Sequence, residues 1–162
     1  MKVVLAPAWR GSAETMAPWV AGLRRRGFQA EALTLPLAAA EKAVPGFLRL
    51  ARPDVVLGGT SFGARVASLA AVEAEVAGLL CLAYPLADQA EQRTRHWPRV
   101  ACPALIVNGD RDDLTDAAEL QRLVPLLPQG RLELLPGAGH VLLPQLEQVL
   151  DLAANFLVRL AD

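Results

Sequence analysis

The sequence predicts an α/β fold of three layers, α/β/α, with a parallel sheet of about six strands between helices. Two observations carry this. Short runs rich in Val, Ile, Leu and Ala alternate with longer runs of helical spacing along the whole chain, and such alternation implies parallel strands joined by right-handed crossovers. Several of the short runs are apolar throughout rather than at every second residue, as strands must be when helices cover both faces. A chain of 162 residues that is 53% hydrophobic and 20% charged fits one domain, residues 1–162, with a sizeable core.

The strands are expected in order at Lys2–Ala6, Gln29–Thr34, Val55–Gly58, Gly78–Ala83, Ala104–Asn108 and Arg131–Leu135. Helices are expected near Glu14–Arg26, Ala38–Ala51, Phe62–Val72, Asp116–Leu123 and Pro144–Leu160. The Pro45-Gly46 pair should break or shorten the second of these. Gly63, Ala64, Ala67 and Ser68 give the third a small-residue face that can lie close to the sheet. The final helix carries Val149, Leu150, Leu152, Ala153, Phe156, Leu157 and Leu160, which can pack on the sheet or on a second copy of the chain. The charged segment Ala87–Pro98 reads as the least regular in the interior, too short for a lid, with His96 as a surface residue.

Composition narrows the function. Sixteen basic residues balance seventeen acidic ones, leaving a formal charge of −1 and no field to attract nucleic acid. The one basic run, Arg24-Arg25-Arg26, ends a helix, where cations offset the dipole. Cys81 and Cys102 sit in apolar runs outside any Cys-x-x-Cys or zinc pattern, which points to buried reduced thiols and a cytoplasmic setting. The apolar N-terminus is too short for a signal peptide, and no stretch is long enough to span a bilayer.

Gly59-Thr60-Ser61-Phe62-Gly63 follows an apolar strand and opens a helix. A Gly-x-Ser-x-Gly at such a junction is a nucleophile elbow, a strained turn that exposes serine Oγ at the helix N-terminus. The bland alternative is a glycine-rich turn whose serine caps the helix. A serine nucleophile needs a base and a group to orient it. Of two histidines, His96 and His140, the latter follows the last strand, at the sheet end where open α/β folds place ligands. The acid should come from Gly109-Asp110-Arg111-Asp112-Asp113, where three aspartates compete and spacing does not choose. A calcium-loop reading of Asp110, Asp112 and Asp116 fails for want of the glycine and the bidentate glutamate. An oxyanion would take one N–H from Phe62 and a second from the loop after the first strand. Pro7 has none, so the donor there is Ala8 or Trp9, with Ala8 preferred. Trp9 can also wall a substrate pocket or simply pack.

With these residues in hand, the chain resembles the small α/β-hydrolases related to dienelactone hydrolases, a branch that includes testis-expressed hydrolase-like proteins and a chromatin acetyltransferase complex subunit. The resemblance rests on Gly58–Ser68, on Gly78–Leu86 ending in Tyr84-Pro85-Leu86, on Pro103–Asp112 ending in Gly-x-x-Asp, and on Gly137-Ala138-Gly139-His140. It implies a minimal, lidless α/β-hydrolase fold trimmed to start at the family's third strand, with the acid at Asp112, Tyr84-Pro85 beside the active site, where Tyr84 would help bind substrate, and Arg65 structural. Two departures stand out. The family's first strand ends in His-Gly, where this chain has Ala6-Pro7-Ala8-Trp9, and proline commonly follows the acid, where this chain has Asp113.

The expected activity is therefore that of a serine hydrolase on a small ester, thioester or lactone, using Ser61, His140 and Asp112 through an acyl-enzyme, with no cofactor, no metal, no nucleic-acid or membrane partner, and possible self-association. The alternative is a non-catalytic α/β-hydrolase-like binding or assembly module. A cysteine-based hydrolase is disfavoured because the elbow carries serine.

Overall fold

The computed structural model describes all 162 residues, Met1–Asp162. Six strands form one all-parallel sheet: β1 (Lys2–Ala6), β2 (Gln29–Ala32), β3 (Val55–Thr60), β4 (Gly78–Leu82), β5 (Ala104–Gly109) and β6 (Gly130–Leu135). Their order is β2-β1-β3-β4-β5-β6. The chain steps outward from β1 to β2, then returns to lay β3 on the other side of β1. That reversal makes a crevice at the carboxyl ends of β1 and β3, where open α/β sheets bind ligands.

Helices cover both faces. On one lie α1 (Ala17–Arg25) and α6 (Leu146–Ala161), packed on Val3, Leu5, Val56, Leu80, Leu105 and Val107. On the other lie α2 (Ala40–Leu48), α3 (Phe62–Glu73) and α5 (Ala117–Leu123), packed on the alternate residues Val4, Leu57, Leu79, Cys81 and Ile106. Successive strand residues thus feed opposite cores, which explains the continuous apolar runs. The last helix buries Val149, Leu150, Ala153, Phe156 and Leu157 against the sheet. Both cysteines are free and buried. Burial pushes the Cys81 thiol far up and the Cys102 thiol up to about 11, so neither supplies thiolate at neutral pH.

Several details depart from the expectation. Residues Ala13–Met16 form a 3₁₀ turn ahead of α1 rather than its first turn. The second strand stops at Ala32, while the third extends to Thr60 and carries the chain up to Ser61. Pro45 lies inside α2 without breaking it, because Ala40, Ala43, Val44 and Phe47 anchor the helix to the core at helical spacing, and the helix is shorter than expected, running from Ala40 to Leu48. The Ala87–Pro98 segment is more ordered than its charge suggested. It folds as α4 (Ala90–Thr94) and a 3₁₀ turn at Trp97–Arg99, held by buried Thr94, His96, Trp97 and Val100. His96 is 6% exposed, which corrects its assignment to the surface. No helix is long and apolar enough to cross a membrane.

The helix α3 reaches the sheet through glycine. A Cβ on Gly63 would overlap the Ala6 carbonyl at the end of β1, and one on Gly59 would meet the same oxygen. Gly63→Ala should therefore cost about 3 kcal/mol or more by overpacking against backbone that cannot yield. Denaturant unfolding checks this, and an unchanged midpoint would contradict the packing described.

Candidate active site

Ser61 sits between β3 and α3 with φ 50° and ψ −113°, a strained backbone for a residue with a side chain. Three contacts hold it there. Its N–H donates to the Leu82 carbonyl of β4 at 2.9 Å, its carbonyl accepts from the Arg65 N–H at 3.1 Å, and the glycine contacts press α3 onto β1. The serine side chain caps no helix N–H, so the capping alternative does not apply. Its Oγ instead lies 2.8 Å from His140 Nε2.

His140 Nδ1 lies 2.8 Å from Asp112 Oδ2. A carboxylate accepts only, so Nδ1 carries the proton and Nε2 of the neutral ring is left to accept from Ser61 Oγ–H. The Asp112 side chain is fully buried and the His140 side chain is 18% exposed. Asp112 is held in turn by the Leu114 N–H on Oδ1 at 2.8 Å and by Asn108 Nδ2 on Oδ2 at 3.2 Å. The structure thus separates the three aspartates. Asp112 faces the imidazole, Asp110 accepts from the Gly137 N–H at 2.7 Å and so braces the histidine loop, and Asp113 is exposed. Asn108, inside β5, was not singled out by the sequence, and Asp110, one of the three candidates for the acid, takes a bracing role instead.

The loops after β5 and β6 are joined. The Arg111 N–H donates to the Ala138 carbonyl at 2.9 Å and the Asp110 N–H to the Leu135 carbonyl at 3.1 Å. Gly109 permits this approach, since a Cβ there would strike the Ala138 carbonyl. On the other side of Ser61, the Phe62 N–H is the first of α3 and has no intrahelical partner. The Ala8 N–H donates to no protein acceptor, and Ala8 lines the cavity at Ser61. Trp9 stands half-exposed at the mouth, edge-on to Phe62 with ring centroids 5.0 Å apart.

Two cavities meet at Ser61. One, of about 300 Å³, is mainly apolar and includes Met16, Trp19, Leu82, His140 and Leu143. The other, of about 320 Å³, includes Trp9, Phe62, Arg65, Pro85 and Arg93. Tyr84 lines neither and is wholly buried. Its hydroxyl donates to the Arg93 carbonyl at 2.5 Å and its ring stacks edge-on to Trp97. The expectation that Tyr84 contacts substrate is thereby corrected, and of the expected Tyr84-Pro85 pair only Pro85 reaches the cavity. No group of His, Cys, Asp and Glu is placed to hold a metal ion.

A second serine–histidine pair lies in the core, with Ser68 Oγ 2.7 Å from His96 Nε2. Its polarity is the reverse. Ser68 spends its single proton on the Arg65 carbonyl at 2.7 Å, and the Tyr84 proton goes to Arg93, so His96 Nε2–H must be the donor to Ser68. His96 has no carboxylate partner, and Ser68 is buried. This pair is a structural network.

Burial, reinforced by Arg65 and Arg99, pushes the His96 pKa down to about 4 from its ordinary 6.5. The folded state thus resists protonation that the unfolded chain accepts. The contribution to stability is intact above about 6.5 and is lost as pH falls toward about 4. Urea unfolding across that window should show the loss, and His96→Gln should flatten the pH dependence there. An equal slope in the variant would show that His96 is not its source.

The chain matches the alpha/beta hydrolase domain family over residues 19–158. Comparison with curated protein sequences finds no match. Among solved structures, an alpha-beta serine hydrolase homologue from Coxiella burnetii superposes with TM-score 0.79 at 19% identity, covering 96% of this chain and 84% of that one. A monoacylglycerol lipase from Paleococcus ferrophilus superposes with TM-score 0.84 at 14% identity, covering 98% and 94%. Esterase PE8 superposes with TM-score 0.75 at 18% identity, covering 98% and 92%. At these identities the likeness is one of fold. The family match spans most of the chain, and the protein belongs to the alpha/beta hydrolase domain family.

Proposed function

We propose that this protein is a serine hydrolase that cleaves a small ester, thioester or lactone through an acyl-enzyme. The observation that carries the proposal is the continuous line Ser61 Oγ–His140 Nε2, His140 Nδ1–Asp112 Oδ2, with both separations 2.8 Å. The esterase and lipase among the similar folds support an ester-type substrate. The motif resemblance to the dienelactone-hydrolase-related branch supports small acyl or lactone substrates. The buried free thiols fit a reducing, cytoplasmic setting.

The chemistry follows from the hydrogen bonds. Ser61 Oγ attacks the carbonyl carbon as its proton passes to His140 Nε2. The imidazolium formed is stabilised by the Asp112 carboxylate, which stays ionised. The oxyanion of the tetrahedral intermediate accepts from the Phe62 and Ala8 N–H groups. The intermediate collapses as the bond to the leaving oxygen or sulfur breaks and that atom takes the proton from Nε2. Water then attacks the Ser61 ester, giving its proton to His140, and the acid product leaves with Ser61 reprotonated. No step uses a metal or cofactor.

A fluorophosphonate probe should add once to the folded protein, at Ser61, as read by intact mass. Ser61→Ala should abolish the adduct, and Asp112→Asn should lower esterase kcat by about 10³–10⁴-fold through loss of the working tautomer. A folded protein that takes no adduct would overturn the hydrolase reading in favour of a binding module.

A further inference from the structure

The two cavities at Ser61 differ in chemistry, and the difference bears on the substrate. The apolar one contains His140. Because His140 Nε2 must deliver its proton to the leaving atom, the leaving group lies on that side. The acyl group then points into the other cavity, which contains Arg65 and Arg93 and no acidic side chain.

These arginines are not consumed by the fold. The Arg65 side chain is 16% exposed, yet its guanidinium donates no hydrogen bond within the protein. Its one carboxylate neighbour, Glu41, is 3.6 Å away and 65% exposed. Arg93 donates Nη1 to the Pro85 carbonyl at 2.9 Å and Nε to Gln89 at 3.2 Å, neither of them a charge, and Nη2 is free. His96, packed nearby, is neutral at pH 7. The cluster therefore holds two positive charges against one solvent-exposed carboxylate. Burial and the proximity of Arg65 both push the Arg93 pKa down, as expected of like charges held together without a full counter-charge.

We propose that the Arg65–Arg93 cavity is an acyl-side subsite for a carboxylate, so that the substrate is an ester with an anionic acyl group and an apolar leaving group. The assignment rests on the acyl-enzyme reading for its direction across Ser61. A guanidinium pair matches a carboxylate in shape and charge, and a charge-assisted hydrogen bond in a sheltered site contributes about tenfold or more in affinity. Hydrolysis would release a dicarboxylic acid, and the upstream reaction must be one that esterifies one end of such a diacid.

The test uses binding, so that it does not depend on turnover. Calorimetry on the Ser61→Ala protein compares monophenyl glutarate, phenyl pentanoate and 3-carboxyphenyl pentanoate. The first should bind about tenfold more tightly than the other two, and adding Arg65→Gln should bring the ratio to within about threefold, with Arg65→Lys restoring part of it. The ratio is insensitive to a fraction of unfolded variant. Equal affinity for the anionic and neutral acyl esters would overturn the proposal, as would preference for the carboxylate on the leaving side. Failure of the fluorophosphonate to label wild-type protein would instead refute the hydrolase reading, and leaves the affinity ratio to decide whether the cavity binds carboxylates.

Discussion

The site depends on one close contact, the approach of the first turn of α3 to the carboxyl end of β1. Ser61 adopts a left-handed backbone conformation that costs free energy, on the order of 1–3 kcal/mol for such a residue. The surrounding sheet over-determines it. Gly59 and Gly63 leave room for the Ala6 carbonyl, and β4 takes the Ser61 N–H. Without that contact, α3 would stand off the sheet, Oγ would turn away from His140, and the Phe62 N–H would no longer face the same crevice as the Ala8 loop. Strain at the serine is thus held by packing that uses no side chain.

The remaining parts are positioned by topology. The order β2-β1-β3 opens the crevice, and parallel pairing of β3 through β6 brings the loops after them to the same edge. The loops after β5 and β6 then tie to one another before either reaches Ser61, through Arg111 to Ala138, Asp110 to Leu135 and Gly137 to Asp110. Asp112 and His140 are therefore fixed as a unit, and Asn108 and the Leu114 N–H fix Asp112 in its turn. The Ser68–His96 pair shows what proximity without this support amounts to. The distance is similar, but the proton sits on the wrong nitrogen, there is no carboxylate behind the ring, and the serine is buried.

Much of this was legible in the sequence because it is local. The elbow is five consecutive residues between a strand and a helix, and His140 is a loop residue directly after the last strand. The inner strands β1, β3, β4 and β5 announce themselves by runs that are apolar on both faces, whereas the edge strands β2 and β6 carry Gln29, Glu31, Arg131 and Glu133. What was not legible depends on partners distant along the chain. Three aspartates within four residues are indistinguishable until the loop turns Asp112 toward Leu114 and His140. His96 looks like a surface residue from its charged neighbours, and the resemblance implied a pocket role for Tyr84, yet Ser68, from α3, gives both a buried partner. Arg65 and Arg93 are far apart in sequence and line one cavity only once the chain has folded. The first-strand loop departs from the family's His-Gly yet still leaves the Ala8 N–H free.

The central claim is that the Ser61–His140–Asp112 line performs covalent acyl transfer. Rapid-quench mass spectrometry during turnover of an activated phenyl ester tests it most directly. The account predicts an acyl mass on the peptide containing Ser61, formed faster than steady-state turnover and decaying at the deacylation rate. Turnover with no acylated protein, or acylation at another residue such as Ser68, would contradict it.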